Sequence, residues 1–285
     1  MTVCVGIQVN ECLVFAADSA VTLHYGFDPH GREIINVLPH GHKVFNLHRA
    51  LPVCAMTCGL GNIGAESIST LAKDFRIALT NEKNYKLNLR NYTIEEIAIK
   101  ARRYLFEERY SKLGAKPSSD MSFYVGGYSA GADSPERWLV KIDAATQSSP
   151  APICEGAKGA SGVNWGGQPE AIYRLLMGVG MAHKEILKTT GLTDAQVDAA
   201  SQALLTQMQA QMVHPAMPVQ DAIDLAEFLV ETTKRFVRFL PGADTVGGDT
   251  DIAVVTKHEG FKWVRRKHYF NRVLNPSLSE IDHAK

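Results

Sequence analysis

Two runs of apolar and β-branched residues open the chain, TVCVGIQV and CLVFAADS, with the polar pair Asn10 and Glu11 between them. Residues of this kind favour strands, and a short polar break between two such runs marks a hairpin turn. A third short strand is expected over Val21 to Tyr25. The Gly- and Pro-containing stretch GFDPHGREIINVLPHGH follows, and then two further strand-like runs, KVFNL and LPVCAMTCG. From Gly64 the period changes. Ile68, Leu71, Ala72, Phe75, Ala78 and Leu79 recur at the spacing of one helix face. After the polar linker NEKNYKLNLRN, Thr93 and Glu96 read as a capping box for a second helix, with Tyr92 placed to staple onto Ile97. Ile94, Ile97, Ala101 and Leu105 make the buried face of that helix.

Strands return in MSFYVGGYS and RWLVKIDA. The Gly-rich segment GAKGASGVNWGGQP leads into a helix from about Pro169, a residue suited to a first turn. Residues 181–212, rich in Ala, Gln, Leu and Met, read as additional helix interrupted at Gly191-Leu192-Thr193. Another helix starts near Pro218 and is expected to turn Ala222, Leu229, Phe236 and Leu240 inward. DIAVVT and FKWVRR close the pattern as two strands around a His258-Glu259-Gly260 turn. Hairpins outnumber crossovers in this order. The pattern therefore predicts an α/β (α+β) domain of stacked, largely antiparallel sheets with helices on both outer faces. No repeat or low-complexity linker divides the chain, so residues 1–285 are read as a single domain, with 181–212 as a helical insertion.

Composition narrows the function. The 30 basic and 30 acidic residues balance, and no long run of one sign occurs, which argues against a nucleic-acid or membrane-surface role driven by charge. The cysteines at positions 4, 12, 54, 58 and 154 form no CxxC pair and no zinc spacing. Cys4, Cys12 and Cys54 sit inside apolar runs, where a thiol behaves as a small hydrophobe, and this usage points to a reducing compartment. Gln8, Asn10 and Glu11 break the first apolar run, no basic region precedes it, and no apolar stretch is long enough to cross a bilayer. The expectation is a cytoplasmic protein.

Candidate chemistry begins at the second residue. Removal of Met1 by an aminopeptidase, which a small following residue permits, leaves Thr2 with a hydroxyl and a free α-amine. A hydroxyl is a poor nucleophile, but the amine of the same residue can accept its proton, directly or through a water. That amine has a reference pKa of about 8 and must be biased towards its free base. A neighbouring ammonium does this, and a carboxylate keeps that ammonium charged and oriented. Thr2 begins the first strand, Asp18 ends the second, and Lys43 precedes the KVFNL run, so the required acid and base lie where one sheet region can gather them.

With these residues in place the sequence resembles the proteasome-type threonine peptidases, which are N-terminal-nucleophile (Ntn) hydrolases. TVCVGIQVNECLVFAADSAVT is similar to the family's opening, HKVFNL to its Lys strand, and PVCAMTCGLGNIG to the strand and turn whose backbone N–H holds the oxyanion. MSFYVGGYS with WLVKIDA, and DTVGGDTDIAVVT, resemble later strands of the family. The likeness runs from Thr2 to about Thr256, and the lack of a propeptide aligns it with the bacterial HslV and Anbu branch. It implies a four-layer αββα sandwich and a threonine peptidase. Thr2, Asp18 and Lys43 would be catalytic, Gly59 would supply the oxyanion N–H, and Thr22 would pair with an extended peptide substrate. Asp244 stands as a supporting acid, one residue off register. The resemblance further implies a homo-oligomeric ring or stack, an AAA-type unfoldase as a partner by analogy, and no cofactor.

The pattern is broken in places. Gly166 stands where the family has a Ser before its third helix, and Val246 where it often has a second Ser. These departures leave two alternatives open, a small-molecule amidase on the same fold and a catalytically silent scaffold subunit. His40 and His42 form an H-x-H pair that a strand would point to one side, but no carboxylate or Cys joins them at a recognisable spacing, so no metal site is expected.

Overall fold

The computed structural model describes residues 2–268. Met1, whose removal the sequence leads one to expect, lies outside them, as does the end of the expected 1–285 domain. In chain order the first strands are β1 (Val3–Gln8), β2 (Cys12–Ala17), β3 (Val21–Phe27), β4 (Glu33–Leu38), β5 (Val44–Asn46), β6 (Val53–Gly59), β7 (Asn62–Ile63) and β8 (Glu66–Ser67). Helices α1 (Ile68–Asn81) and α2 (Ile94–Arg102) follow, and then β9 (Met121–Gly127), β10 (Glu136–Ile142), β11 (Ile153–Gly156) and β12 (Gly162–Gly167). Helices α3 (Glu170–Met177), α4 (His183–Thr189), α5 (Asp194–Met208) and α6 (Val219–Arg238) precede the closing hairpin of β13 (Asp251–Thr256) and β14 (Gly260–Arg265).

Two five-stranded sheets carry the molecule, ordered β12-β1-β2-β13-β14 and β11-β10-β9-β6-β5, and every strand pair in them is antiparallel. Period-2 alternation gives each strand two faces, and here both are covered. Cys4, Leu13, Phe15, Cys54, Met56, Cys58, Tyr124 and Val255 meet between the sheets. Val3, Val5, Ile7, Val14 and Val254 face outward onto Ile172 of α3 and onto Ala222, Ala226, Leu229 and Val230 of α6. Ala55, Phe123 and Val140 face the other way, onto Leu71, Phe75 and Leu79 of α1 and Ile97 and Ala101 of α2. The result is the expected αββα sandwich. β1 and β2 are buried along their whole lengths because they lie at the centre of a sheet covered on both sides.

Several expectations shift in detail. The Gly/Pro stretch after β3 forms a returning arm, β4, paired Val21↔Leu38 and Thr22↔Val37. Gly64 lies in the turn of the β7–β8 hairpin, and α1 begins only after Ser67, whose hydroxyl accepts the Thr70 N–H at 3.1 Å. Thr93 caps α2 by accepting the Glu96 N–H at 3.0 Å, whereas the Glu96 carboxylate turns to Lys100 at 3.0 Å. The reciprocal capping box is found instead at Thr193 and Gln196 of α5. On α6, Phe236 is half-buried and Leu240, beyond the helix end, is 45% exposed; Thr233 and Val237 fill the inner face in their place. The Gly-rich segment before α3 contains β12, an edge strand running along β1.

Candidate active site

The β1–β2 hairpin ends with its open end beside its own start, so Asp18, directly after β2, reaches back to β1. Its Oδ1 accepts the Val3 N–H at 3.0 Å, and its Oδ2 accepts those of Ala20 and Gly247, each at 3.0 Å. The fourth donor is the Lys43 ammonium, 2.7 Å from Oδ1. Both side chains are sealed from solvent, Asp18 at 0% and Lys43 at 7% exposure. Burial pulls the Lys43 ammonium below its ordinary pKa, against the opposing pull of Asp18. The carboxylate is thus fully hydrogen-bonded, which is the condition under which a buried charge persists.

Thr2, Lys43, Gly59 and Thr22 line one half-open cavity of about 960 Å³, together with His40, His42, Cys58 and Lys73. Thr2 is buried, and its carbonyl accepts the Gln168 N–H at 2.7 Å. A Cβ at Gly167 would stand 1.8 Å from the Thr2 carbonyl oxygen, so glycine there lets β12 lie against the first residue of the site. Lys43 is fixed at its backbone as well, its carbonyl accepting the Thr57 N–H at 2.9 Å. N–H groups on a strand alternate in direction, so the Gly59 amide points to the same side as that of Thr57, past the start of β5. Gly59 has φ +89°, and a Cβ on it would meet the Asp120 carbonyl oxygen at 2.1 Å, which excludes any other residue without rearrangement. Val21, Thr22 and Leu23 of β3 line the same cavity.

Other sequence-level candidates fall elsewhere. Asp244 is exposed in the closing loop and is not among the cavity residues; the loop touches Asp18 through the Gly247 N–H instead. Val246 is buried between the first sheet and α6. Gly166 lies in β12, paired with Cys4, and a Cβ there would stand 2.7 Å from Cys58 Sγ and 3.1 Å from Cys4 Sγ. His40 and His42 precede β5 and are not in a strand, so the H-x-H geometry does not arise. His42 Nδ1 lies 3.2 Å from Asp251 Oδ2, and the same buried carboxylate receives the Lys267 ammonium at 2.5 Å. Lys267 also donates to Ser19, which donates to the Asp249 carbonyl. This second buried network adjoins the Asp18–Lys43 pair. Its partners lie so far apart in the chain that no local sequence signal announced it.

No family model matches the chain, and no curated protein does. Solved structures do. The chain is similar to the Anbu complex of Pseudomonas aeruginosa, described as a helical assembly, with 16% identity and a TM-score of 0.50 over 99% of this chain and 94% of that one. It is also similar to Anbu, the ancestral β-subunit, of Yersinia bercovieri, with 14% identity and a TM-score of 0.51 over 93% and 88% of the respective chains. At these identities the likeness carries the fold: the chain folds as Anbu subunits do.

Proposed function

We propose that this chain is a threonine-type endopeptidase of a proteasome-like assembly, with Thr2 as the nucleophile once Met1 is removed. The Thr2 hydroxyl attacks an amide carbonyl while the Thr2 α-amine takes its proton. The Lys43 charge disfavours a second cation beside it and so keeps that amine in its basic form. Asp18 holds Lys43 in place. The Gly59 N–H, pointing past the start of β5, receives the oxyanion. The tetrahedral intermediate collapses to an acyl-enzyme as the amine returns its proton to the leaving nitrogen, and water activated by the same amine releases the acyl group. An extended peptide lies along the Val21–Leu23 wall, adding a strand beside β3.

The observation that carries this reading is the sealed Asp18–Lys43 pair, 2.7 Å long, whose Lys43 lines the same cavity as Thr2 and Gly59. A buried ion pair is a weak contributor to stability, so its placement beside a candidate nucleophile favours a role in chemistry. Assembly into a homo-oligomer belongs to the same proposal, as does the reading of residues 1–285 as one domain with α4–α5 as its helical insertion. Helix α5 buries only Val197 and Ser201 and leaves Met208 48% exposed, surface that a neighbouring subunit would cover. An AAA-type unfoldase partner is proposed by analogy alone.

The test is hydrolysis of a panel of fluorogenic peptides and of small non-peptide amides by the wild-type protein and Thr2→Ala. Peptide cleavage lost in Thr2→Ala supports the proposal. Cleavage of the small amides alone replaces it with an amidase, and no turnover of either by a folded protein carrying a free Thr2 replaces it with a silent subunit.

A further inference from the structure

Cys58 directly precedes Gly59 on β6, and Cys4 lies two residues beyond Thr2 on β1. Both side chains point into the space between the two sheets, where they belong to one cluster with Tyr124 and Val44. Their sulfurs crowd the same point: a Cβ built on Gly166 would lie 2.7 Å from Cys58 Sγ and 3.1 Å from Cys4 Sγ. The two thiols act on each other across the sheet interface, so that the Cys4 thiol is pushed up and the Cys58 thiol down. Ser122, paired with Cys58 across the β6–β9 ladder, and the Lys43 ammonium push the Cys58 thiol in the same direction. Burial and the Glu155 carboxylate oppose these three influences without overcoming them. Cys12 and Cys54 are buried with their thiols pushed up, and Cys154 is exposed away from the cavity. Cys58 is the one cysteine that both lines the Thr2 cavity and is surrounded by groups that stabilise a thiolate.

We propose that Cys58 and Cys4 form a redox-active dithiol, which hydrogen peroxide entering the Thr2 cavity oxidises to a disulfide. The Cys58 thiolate attacks a peroxide oxygen, forming an S–O bond as the O–O bond breaks. The departing hydroxide takes up a proton and leaves as water. The Cys4 sulfur then attacks the Cys58 sulfur, forming the S–S bond as the S–O bond breaks, and its proton leaves with that oxygen as a second water. Two thiols are oxidised by two electrons in all, and one peroxide is reduced to two waters. The crosslink ties β1, which follows Thr2, to β6, which ends at Gly59. Bridging draws the two strands together beside Thr2 and Gly59, and a displacement of ~1 Å at a reacting centre costs ~10²-fold in rate. This consequence rests on the proposed role of Thr2; the bridge itself does not.

The experiment treats reduced wild-type protein and Thr2→Ala with hydrogen peroxide, then follows intact mass, disulfide mapping and the rate of acylation of wild-type Thr2 by a β-lactone. The expected result is a mass lower by two hydrogens in both proteins, a mapped Cys4–Cys58 bridge, and wild-type acylation slowed roughly 100-fold and restored by dithiothreitol. Cys4→Ser should accumulate instead an extra oxygen on Cys58, trapped by dimedone, while Cys154→Ser should bridge as the wild type does. Cys58 remaining a free thiol, or a bridge involving another cysteine, overturns the proposal. A bridge that leaves the acylation rate unchanged overturns its regulatory consequence. Formation of the bridge in Thr2→Ala separates failure of this proposal from failure of the peptidase reading.

Discussion

Replacing Lys43 by Met removes the ammonium 2.7 Å from Asp18 while keeping an unbranched side chain of nearly the same length. The Asp18 carboxylate then remains at 0% exposure with its three backbone N–H donors but no counter-charge. Breaking a buried pair from one side costs about 3–5 kcal/mol, and the surviving N–H bonds place Lys43→Met near the lower end. Asp18→Asn is worse. Whichever way the amide turns, its NH2 faces donors, either Ala20 and Gly247 or Val3 and Lys43, and the Lys43 charge is left alone. That substitution belongs near ~5 kcal/mol. The double variant carries no isolated charge and should cost well below the sum, leaving a coupling of at least ~2 kcal/mol. Urea unfolding of all four proteins at neutral pH, with the denaturant slope unchanged, measures the cycle. Additivity within ~0.5 kcal/mol, or single costs below ~1 kcal/mol typical of exposed pairs, would refute the buried-pair account.

Burial holds the folded-state Lys43 pKa below 10.5, so the unfolded chain binds that proton more tightly. The stability of the wild type relative to Lys43→Met should therefore rise as pH climbs from the lowered value towards 10.5, and a flat or falling difference would count against it. Gly59→Ala places a side chain at φ +89°, 2.1 Å from the Asp120 carbonyl oxygen, and should destabilise by roughly 1–3 kcal/mol while slowing Thr2 acylation by ~10²-fold or more, read by unfolding and by lactone kinetics. No carboxylate lines the cavity among the described residues, and Lys73 stands exposed on its wall. Peptides bearing an acidic residue should react several-fold faster than basic ones, the ~1 kcal/mol of a screened charge pair, and Lys73→Glu should erase that preference.

What the sequence made legible was what apolar periodicity encodes: the β1–β2 hairpin, the buried face of α1 and the closing β13–β14 hairpin. The strands it hid have a physical reason. β12 reads GVNWGG, a turn-like composition, because Gly166 and Gly167 must let the two facing thiols and the Thr2 carbonyl approach. On α6 the pattern suggested Phe236 and Leu240, but Thr233, whose hydroxyl donates to the Leu229 carbonyl at 2.8 Å, sits inside at the cost of an apolar signal. The Asp18–Lys43 pair was expected and the structure brings the two together. The sequence offers Asp244 as a supporting acid of the closing loop, but the loop reaches Asp18 through the Gly247 amide, which no side chain advertises. The His42–Asp251–Lys267 network joins residues on opposite ends of the chain and leaves no local trace.

The most direct test of the central claim is intact-mass spectrometry of the purified protein before and after exposure to a β-lactone. The account predicts a mass short of one methionine, a gain of one lactone adduct, and no adduct in Thr2→Ala or Lys43→Met. Retention of Met1, or an adduct that persists without Thr2, would contradict it.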